Sequence, residues 1–299
     1  MLRGADLLAW RTQALANLAQ IDSNVTDVHS RADLTRELDW LIRETTGVDR
    51  LKLRLGLIRP GESLPSSRSL AELESLWHER VYQAVPLQYL LGYTAWRSFS
   101  LKVSPAVLIP RPETEQLIDI VSETTRPVQR QGQWVDVGTG SGAIALGLAD
   151  LLPQAQIHAV DISDDALAIA KINAAQYGLD PRIQFWQGSL FDPLPKPLQL
   201  HGICSNPPYI PTTLVSTLQP EVHQHEPHIA LDGGDDGLAI IRSLVSQSYA
   251  YLVPEGMLIL ECMAGQGEAI ASLMRTHQYH AVQIHYDLAG IDRFVQGFK

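Results

Sequence analysis

The stretch "VDVGTGSGAIALGLA", residues 135–149, joins a short apolar segment to an alanine- and leucine-rich segment through three closely spaced glycines. The first segment is typical of a buried strand, and the last is typical of a helix. Glycine adopts backbone conformations that other residues avoid, and it lets a ligand come close to the backbone. The stretch therefore predicts a strand, a tight turn and a helix, with the turn at the carboxyl end of the strand, where parallel sheets bind ligands.

The same alternation of strand and helix continues towards the end of the chain. Further predicted strands are "QIHAVDI", "IQFWQG", "LHGICSN" and "GMLILEC". Such alternation indicates an α/β fold with a mainly parallel sheet and helices on both faces. The last two strand-like segments, "AVQIHYD" and "DRFVQGF", are separated only by a short link that contains "LAG", so we expect a C-terminal antiparallel hairpin.

The region before the sheet has a different pattern. Residues 1–85 contain three helical patterns, "LLAWRTQALANLAQ", "RADLTRELDWLIRETTG" and "SLAELESLWHERVYQAV", which predict a small helical bundle. Residues 86–110 are richer in aromatic and β-branched residues and predict a linking β-hairpin region. The third predicted domain, residues 111–299, contains the sheet.

Composition limits the classes of function. The chain is 45% hydrophobic and 19% charged, as in soluble globular proteins, and no apolar run approaches the roughly 20 residues of a membrane span. The formal net charge of −10 argues against broad capture of a nucleic-acid backbone. The N-terminus lacks the continuous apolar core of a secretory signal, so we expect a cytoplasmic protein. Cys204 and Cys262 lie in apolar strand-like segments and are expected to be buried, reduced thiols.

The glycine turn is a candidate cofactor site. The next strand ends in Asp161, whose carboxylate can accept hydrogen bonds from both hydroxyls of a ribose. The spacing Gly-x-Gly-x-Gly differs from the dinucleotide pattern and favours a nucleoside cofactor without a pyrophosphate, such as S-adenosylmethionine. Glycine-rich turns also serve packing alone, which is the alternative. The predicted cofactor-binding residues are Gly138, Thr139, Gly140, Ser141, Gly142, Asp161 and Asn206.

A second candidate site is "SNPPYIP", residues 205–211, at the end of a predicted strand. The Asn206 side chain has a carbonyl acceptor and an NH₂ donor, whereas Pro207 and Pro208 have carbonyls but no N–H. These three residues would form a wall lined mostly by acceptors. The alternative is a rigid turn that closes the strand.

Together, "DVGTGSG", Asp161 and "NPPY" resemble class I S-adenosylmethionine-dependent methyltransferases that methylate a planar nitrogen. From about Val85 onwards, "PLQYLLG", "VLIPRPETE", "SNPPYIP", "EPHIALDGGDDGL" and "DLAGIDR" resemble the release-factor glutamine methyltransferases, in that family's order. The segment "IPRPETE" is uncommon in nucleic-acid enzymes that share "NPPY". By its residues alone it predicts a helix start, with Pro112 near the first position.

The resemblance implies a Rossmann-like methyltransferase sheet and N5-methylation of the glutamine in the Gly-Gly-Gln motif of class 1 peptide chain release factors. The Asn206 side-chain oxygen and the Pro207 carbonyl would accept the two amide hydrogens of that glutamine, and Tyr209 would pack against its amide plane. Pro208 would complete the substrate-binding wall, and the N-terminal helices would dock the protein substrate. No membrane or nucleic-acid partner is expected.

Two positions depart from the family pattern. Ser189 stands where the family often has an aspartate that contacts adenine, and Met263 stands where it usually has glycine. The first departure questions the usual acidic contact to adenine, and the second affects local packing.

Two other functions fit part of the pattern. An amino-methyltransferase acting on adenine in nucleic acid would need the same acceptor wall, with the flipped base stacked on Tyr209. A non-catalytic cofactor-binding protein would need only the cofactor motifs. The acidic charge counts against the first, and the intact motifs count against the second. The cluster "EVHQHEPH", with His223, His225 and His228, has metal-ligand residue types, but the methyl transfer needs no metal, so we predict no metal site.

Overall fold

The computed structural model describes residues 1–18 and 31–299, which form two compact units. The first unit contains residues 1–91 together with 219–225, and the second contains residues 92–218 and 226–299. Nothing in the sequence pattern predicts that residues 219–225 group with the first unit.

The first unit is mainly helical, as its apolar periodicity predicts. Its helices are Gly4–Leu18, Arg31–Thr46, Arg50–Arg54, Leu70–Tyr82, Leu87–Leu91 and Pro220–His225. Two short strands, β1 (Leu2–Arg3) and β2 (Ser63–Leu64), pair antiparallel. The first predicted helix extends to Gln20, and its last two residues, Ala19 and Gln20, lie outside the described residues.

Local sequence explains where one of these helices begins. Ser69 caps the helix Leu70–Tyr82 by accepting a hydrogen bond from the Glu72 backbone, and the Glu72 side chain accepts from the Ser69 backbone in return. This reciprocal arrangement satisfies two backbone donors that a helix start leaves open.

A buried arginine connects separate parts of the first unit. The Arg80 guanidinium donates to both carboxylate oxygens of Glu37, at 2.6 and 3.1 Å. It also lies 2.7 Å from the Glu221 carboxylate, on the segment 219–225. The Arg80 side chain is only 1% exposed, so these contacts compensate for the burial of its charge.

The second unit contains a seven-stranded sheet. Its strands are β5 (Gln133–Val137), β6 (Gln156–Asp161), β7 (Ile183–Gln187), β8 (Leu200–Ser205), β9 (Leu252–Glu261), β10 (His280–Tyr286) and β11 (Asp292–Phe298). Their spatial order is β10-β11-β9-β8-β5-β6-β7. Neighbouring strands from β7 to β9 pair parallel, whereas β11 pairs antiparallel with both β9 and β10. The predicted mainly parallel, Rossmann-like sheet with a C-terminal antiparallel hairpin is therefore confirmed.

Helices cover both faces of this sheet. The main helices of the second unit are Glu115–Thr124, Ala143–Leu151, Asp164–Gln176, Ala239–Tyr251 and Gly267–Thr276. Adjacent residues of β5 point into different apolar clusters: Trp134 packs with residues of the first two helices, and Val135 packs with residues of the last two. This follows from the alternation of side chains along a strand that is buried on both faces.

Two further features concern strands, one outside the seven-stranded sheet and one at its edge. Strands β3 (Tyr93–Trp96) and β4 (Phe99–Lys102) form a separate antiparallel hairpin. The edge strand β10 shifts register twice against β11, between His280 and Gln283 and between His285 and Tyr286.

Both cysteines, Cys204 and Cys262, are buried and free, as predicted. Among the described residues, no helix combines the length and apolar character needed to cross a membrane.

Candidate active site

The candidate site lies at the carboxyl ends of β5 and β8, which are neighbours in the sheet. The chain builds outwards from β5 to β6 and β7 on one side, and then returns to place β8 on the other side. Such a reversal of strand order opens a crevice beyond the strand ends, where open α/β sheets bind ligands.

The glycine turn after β5 forms one wall of the crevice. Gly138 and Gly140 have φ values of +75° and +53°, which favour glycine. A Cβ on Gly140 would have no neighbouring atom within 4 Å, and one on Gly138 would meet only the Asn206 carbonyl oxygen, at 4.0 Å. The turn therefore presents bare backbone to open space, which suits a closely approaching ligand.

Asp161, the last residue of β6, is fixed by the backbone around it. Its Oδ2 accepts from the Gly140 N–H at 2.8 Å, and its Oδ1 accepts from the Ser163 N–H at 3.0 Å. Burial raises the pKa of this carboxyl. A carboxylate has about four acceptor positions, so capacity remains for the hydroxyls of a ribose.

Asp136, within β5, was not predicted as a site residue, although it lies only two residues before Gly138. Its Oδ2 accepts from the Thr139 hydroxyl at 2.6 Å and from the Ala145 N–H at 3.0 Å. It thereby connects the turn to the helix Ala143–Leu151. Its Oδ1 is buried and has no hydrogen-bond partner among the described residues. Burial raises the pKa of this carboxyl to about 7.

The crevice contains a cavity of about 710 Å³. The predicted site residues that line it are Gly138, Thr139, Gly140, Ser141, Asp161, Asn206, Pro207 and Pro208. Of the predicted site residues, all of which the structure describes, Gly142 and Tyr209 lie outside this lining. A Cβ on Gly142 would lie 3.2 Å from that of Ala170, so this glycine permits close packing of helices. Ser189, one of the two departures from the family pattern, lies in the cavity wall.

The "NPPY" segment follows β8 and forms hydrogen bonds with side chains from other parts of the chain. Asn206 Nδ2 donates to the Thr114 hydroxyl oxygen at 3.4 Å. The Tyr209 hydroxyl donates to Glu261 Oε1 at 3.3 Å, and the Tyr209 carbonyl accepts from Gln266 Nε2 at 3.0 Å. None of these contacts uses an acceptor of residues 206–208, and all three of those residues line the cavity.

Glu261, the last residue of β9, is a buried carboxyl that the sequence analysis did not identify. Its Oε2 accepts from the Thr114 hydroxyl at 2.6 Å. Burial raises the pKa of Glu261 to about 7, while Thr114 and the nearby Arg293 oppose the rise. Thr114 belongs to "IPRPETE", a motif that marks the segment but does not indicate its distant partner Glu261.

The "IPRPETE" segment begins a helix, as predicted: Pro112 opens a 3₁₀ turn that leads into Glu115–Thr124. It also has long-range contacts. Arg111 Nη2 donates to both carboxylate oxygens of the buried Glu226, at 2.9 and 2.7 Å. Glu226 directly precedes residues 227–230, which line the cavity, so Arg111 holds one wall of the site.

The glycines of "LDGGDDG" pack against "NPPY". Gly237 has φ +74°, and a Cβ there would lie 2.3 Å from the Tyr209 carbonyl oxygen. A Cβ on Gly233 would lie 2.8 Å from the Pro208 carbonyl oxygen. The segment precedes the helix Ala239–Tyr251, as expected, and only glycine fits where it touches the motif.

In the part of the chain that the structure describes, no group of three or more His, Cys, Asp and Glu side chains could hold a metal ion. Two of the three clustered histidines contact backbone carbonyls: His225 lies 2.8 Å from the Gln83 oxygen, and His223 lies 3.2 Å from the Gln219 oxygen.

Comparisons with known proteins identify the family. A family model described as "Methyltransferase small domain" matches residues 114–219. The release factor glutamine methyltransferase of Thermosynechococcus vestitus is 50% identical over 262 residues, which is 87% of this chain and 89% of that protein. The chain belongs to the release factor glutamine methyltransferase family.

Another relative extends the match over almost the whole chain. The enzyme of the same name from Gloeobacter violaceus is 43% identical over 287 residues, 96% of this chain and 94% of its own length. The family resemblance noted from the motifs is therefore confirmed, and the protein is a methyltransferase.

Solved structures support the fold. The hMettl16 catalytic domain, solved with the MAT2A 3'UTR hairpin 6, has a TM-score of 0.55 at 12% identity, with coverage of 86% of this chain and 88% of that one. A methyltransferase from Pyrococcus furiosus has a TM-score of 0.51 at 14% identity, with coverage of 78% and 99%. At such identities the likeness shows a shared methyltransferase fold alone.

Proposed function

We propose that this protein methylates the side-chain nitrogen of the glutamine in the Gly-Gly-Gln motif of class 1 peptide chain release factors, with S-adenosylmethionine as the methyl donor. One observation carries the proposal. Asn206, Pro207 and Pro208 line the same cavity as the glycine turn and Asp161, in a chain 50% identical to a relative named release factor glutamine methyltransferase.

The cavity suits this cofactor. Gly138 and Gly140 leave the space that a Cβ would fill, and Asp161 has acceptor capacity for the ribose hydroxyls. Thr139 and Ser141 complete the predicted cofactor wall. Ser189 would meet the adenine with a hydroxyl in place of the carboxylate that the family often has. When bound, S-adenosylmethionine supplies a methyl group on a positively charged sulfur.

The acceptor wall addresses the chemical difficulty of the substrate. A carboxamide nitrogen is a poor nucleophile because its lone pair is delocalised into the carbonyl. Asn206 Oδ1 and the Pro207 carbonyl would accept the two N–H groups and hold the nitrogen with its lone pair facing the methyl group. No strong base is required, because the amide that has just received the methyl group is positively charged and is acidic enough in that form to lose its extra proton to water. The contribution of the chain is therefore orientation and electrostatics.

The first unit is proposed to dock the protein substrate. Every predicted cofactor-binding residue lies after residue 130, whereas recognition of one glutamine on a large partner needs contact area beyond a small pocket. A release-factor substrate would place the reaction in the cytoplasm, as the sequence analysis expects.

The proposal is tested by incubating the purified protein with methyl-labelled S-adenosylmethionine and an intact release factor. We expect label on the factor and no label on a variant factor that carries Gly-Gly-Ala. Adenine-containing nucleic acid serves as the control for the amino-methyltransferase alternative. Label on the nucleic acid but not on the release factor would reject the proposal.

Asn206→Ala tests the acceptor wall itself. Loss of one oriented catalytic hydrogen bond typically costs about 10²–10³ in rate, and we expect a fall of that size in single-turnover methylation. Because the Asn206 side chain lines the cavity and is not part of the apolar core, the melting temperature should change little. A folded variant that works within about threefold of wild type would show that "NPPY" is only a strand-ending turn.

A further inference from the structure

Three polar side chains connect the buried end of β9 to the wall of the cavity. The Thr114 hydroxyl lies 2.6 Å from Glu261 Oε2 and 3.4 Å from Asn206 Nδ2. Thr114 and Glu261 are buried. Thr114 lines the cavity together with Asn206. The three residues are distant in sequence, since 92 positions separate Thr114 from Asn206 and 147 separate it from Glu261.

The single proton of the Thr114 hydroxyl decides the direction of both contacts. A separation of 2.6 Å is typical of a hydroxyl that donates to a carboxylate, about 2.5–2.7 Å. Once Glu261 is ionised, its carboxylate can only accept, so in that form the Thr114 proton points to Glu261. Only lone pairs of the Thr114 oxygen then remain for Asn206.

This direction selects one of the two orientations of the Asn206 amide. The NH₂ and C=O groups of asparagine are nearly the same size, so packing alone distinguishes them poorly. Facing a lone pair, Asn206 must present Nδ2 to Thr114, and its Oδ1 is left for the other side. The separation of 3.4 Å is longer than the usual N–H···O distance of about 2.7–3.2 Å, so this hydrogen bond is weak. What selects the orientation is that Thr114 offers Asn206 no donor.

We propose that Thr114 and Glu261 are positioning residues that fix the Asn206 amide with Oδ1 available as the acceptor for the substrate nitrogen. The inference rests on the proposed function. In the opposite orientation Asn206 would present its NH₂ to the NH₂ of the substrate amide, and two donors cannot bond each other. The contacts from Glu261 through Thr114 to Asn206, called the relay below, therefore keep Asn206 Oδ1 available as an acceptor in the wall.

Glu261 also acts on the second half of the motif. Its Oε1 accepts from the Tyr209 hydroxyl at 3.3 Å, so one carboxylate holds Asn206 through Thr114 and holds Tyr209 directly. Arg293 favours the ionised form of Glu261, whereas Glu113 and burial oppose it. A buried carboxylate with these donors is satisfied on both oxygens.

A matched pair of substitutions at Thr114 tests the relay. Thr114→Val keeps the shape and removes the hydroxyl, and Thr114→Ser keeps the hydroxyl. In metal sites, mutation of a residue that orients a ligand side chain typically costs about 10- to 100-fold in activity. By analogy, we expect a loss of that size in single-turnover methylation for Thr114→Val. Thr114→Ser should restore activity to within about threefold of wild type. The dissociation constant for S-adenosylmethionine should stay within about twofold in both.

A double-mutant cycle distinguishes positioning from a general structural role. If Thr114 acts through Asn206, Thr114→Val in the Asn206→Ala background should lower the remaining rate by less than about twofold. An equal loss in both backgrounds would overturn the inference, because the hydroxyl would then act elsewhere. If Thr114→Val does not fold, Glu261→Gln replaces it. The new carboxamide can donate to the Thr114 oxygen, so the Thr114 proton becomes available to Asn206 Oδ1 and the Asn206 amide reverses its orientation. We expect the methylation rate to fall by about tenfold or more.

The outcomes separate the two claims. A wild-type protein that leaves the Gly-Gly-Gln glutamine unmethylated would overturn the proposed function together with this inference. A wild-type protein that methylates it, alongside a folded Thr114→Val variant within about threefold of that rate, would overturn the inference alone.

Discussion

Asp161 accepts two backbone N–H groups in this site. Its carboxylate accepts from the backbone of the glycine turn and of the residue that caps the next helix, and it faces the cavity. A side chain that holds its own binding loop is already oriented before a ligand arrives, which lowers the cost of binding.

We therefore expect Asp161→Ala to weaken S-adenosylmethionine binding by at least about 1 kcal/mol, the scale of a hydrogen bond to a charged group. Isothermal calorimetry measures the dissociation constant. Asp150→Ala, at an exposed aspartate of the helix Ala143–Leu151, is the matched control and should leave binding unchanged. An unchanged constant in folded Asp161→Ala would reject the assignment.

Asp136 predicts a pH dependence of stability. Its folded pKa of about 7 lies above the ordinary value of 3.8, so between these values the folded protein binds more protons than the unfolded chain. Stability from this group is present at low pH and is lost as pH rises, at up to about 1.4 kcal/mol for each pH unit. Asp136→Asn cannot titrate, so its free energy of unfolding relative to wild type should increase between about pH 4 and 7. Urea denaturation at each pH measures the free energy of unfolding. Profiles that run parallel for wild type and Asp136→Asn would contradict a raised pKa of Asp136.

At the level of helices and strands, the sequence predicts local structure but not the contacts between residues that are distant along the chain. The strands, their order of appearance and the final hairpin follow from apolar periodicity and short turns, and the structure confirms them. The glycine turn, Asp161 and "NPPY" were also recognisable, because each lies at a strand end. The partners that hold them were not: Thr114 meets Glu261 across 147 positions, and Arg111 meets Glu226 across 115. Such pairs depend on how elements pack, which periodicity does not encode.

The turn before the helix Ala239–Tyr251 supports "NPPY", and a pair of glycines tests this. Gly237 and Gly178 both have positive φ, +74° and +66°, but only at Gly237 would a Cβ strike the Tyr209 carbonyl oxygen. Displacement of a positioned group by about 1 Å can cost about 10²-fold in rate, so we expect Gly237→Ala to lower methylation by about 10- to 100-fold more than Gly178→Ala. Both variants carry similar backbone strain, and thermal denaturation checks that they fold. Equal activities would show that the turn does not support the motif.

On the scale of the whole molecule, substrate docking by the first unit has a direct test. A variant that begins at Pro86 should bind S-adenosylmethionine as the full chain does but lose methylation of the intact release factor. A short Gly-Gly-Gln peptide, which cannot use a distant docking surface, should be methylated equally by both proteins. The variant leaves Glu221 without Arg80, so circular dichroism must first show that it folds. Full activity on the intact factor would contradict the docking role.

The irregular edge strand β10 bears on how copies of the protein behave at high concentration. An open strand edge offers a row of N–H and C=O groups on which another chain can template aggregation. The two register shifts in β10, and the left-handed backbone at Ala281, interrupt that row and twist the strand away from the flat geometry that edge-to-edge pairing needs. The departures from regular β structure at this end of the sheet would therefore hinder edge-to-edge association of copies of the protein.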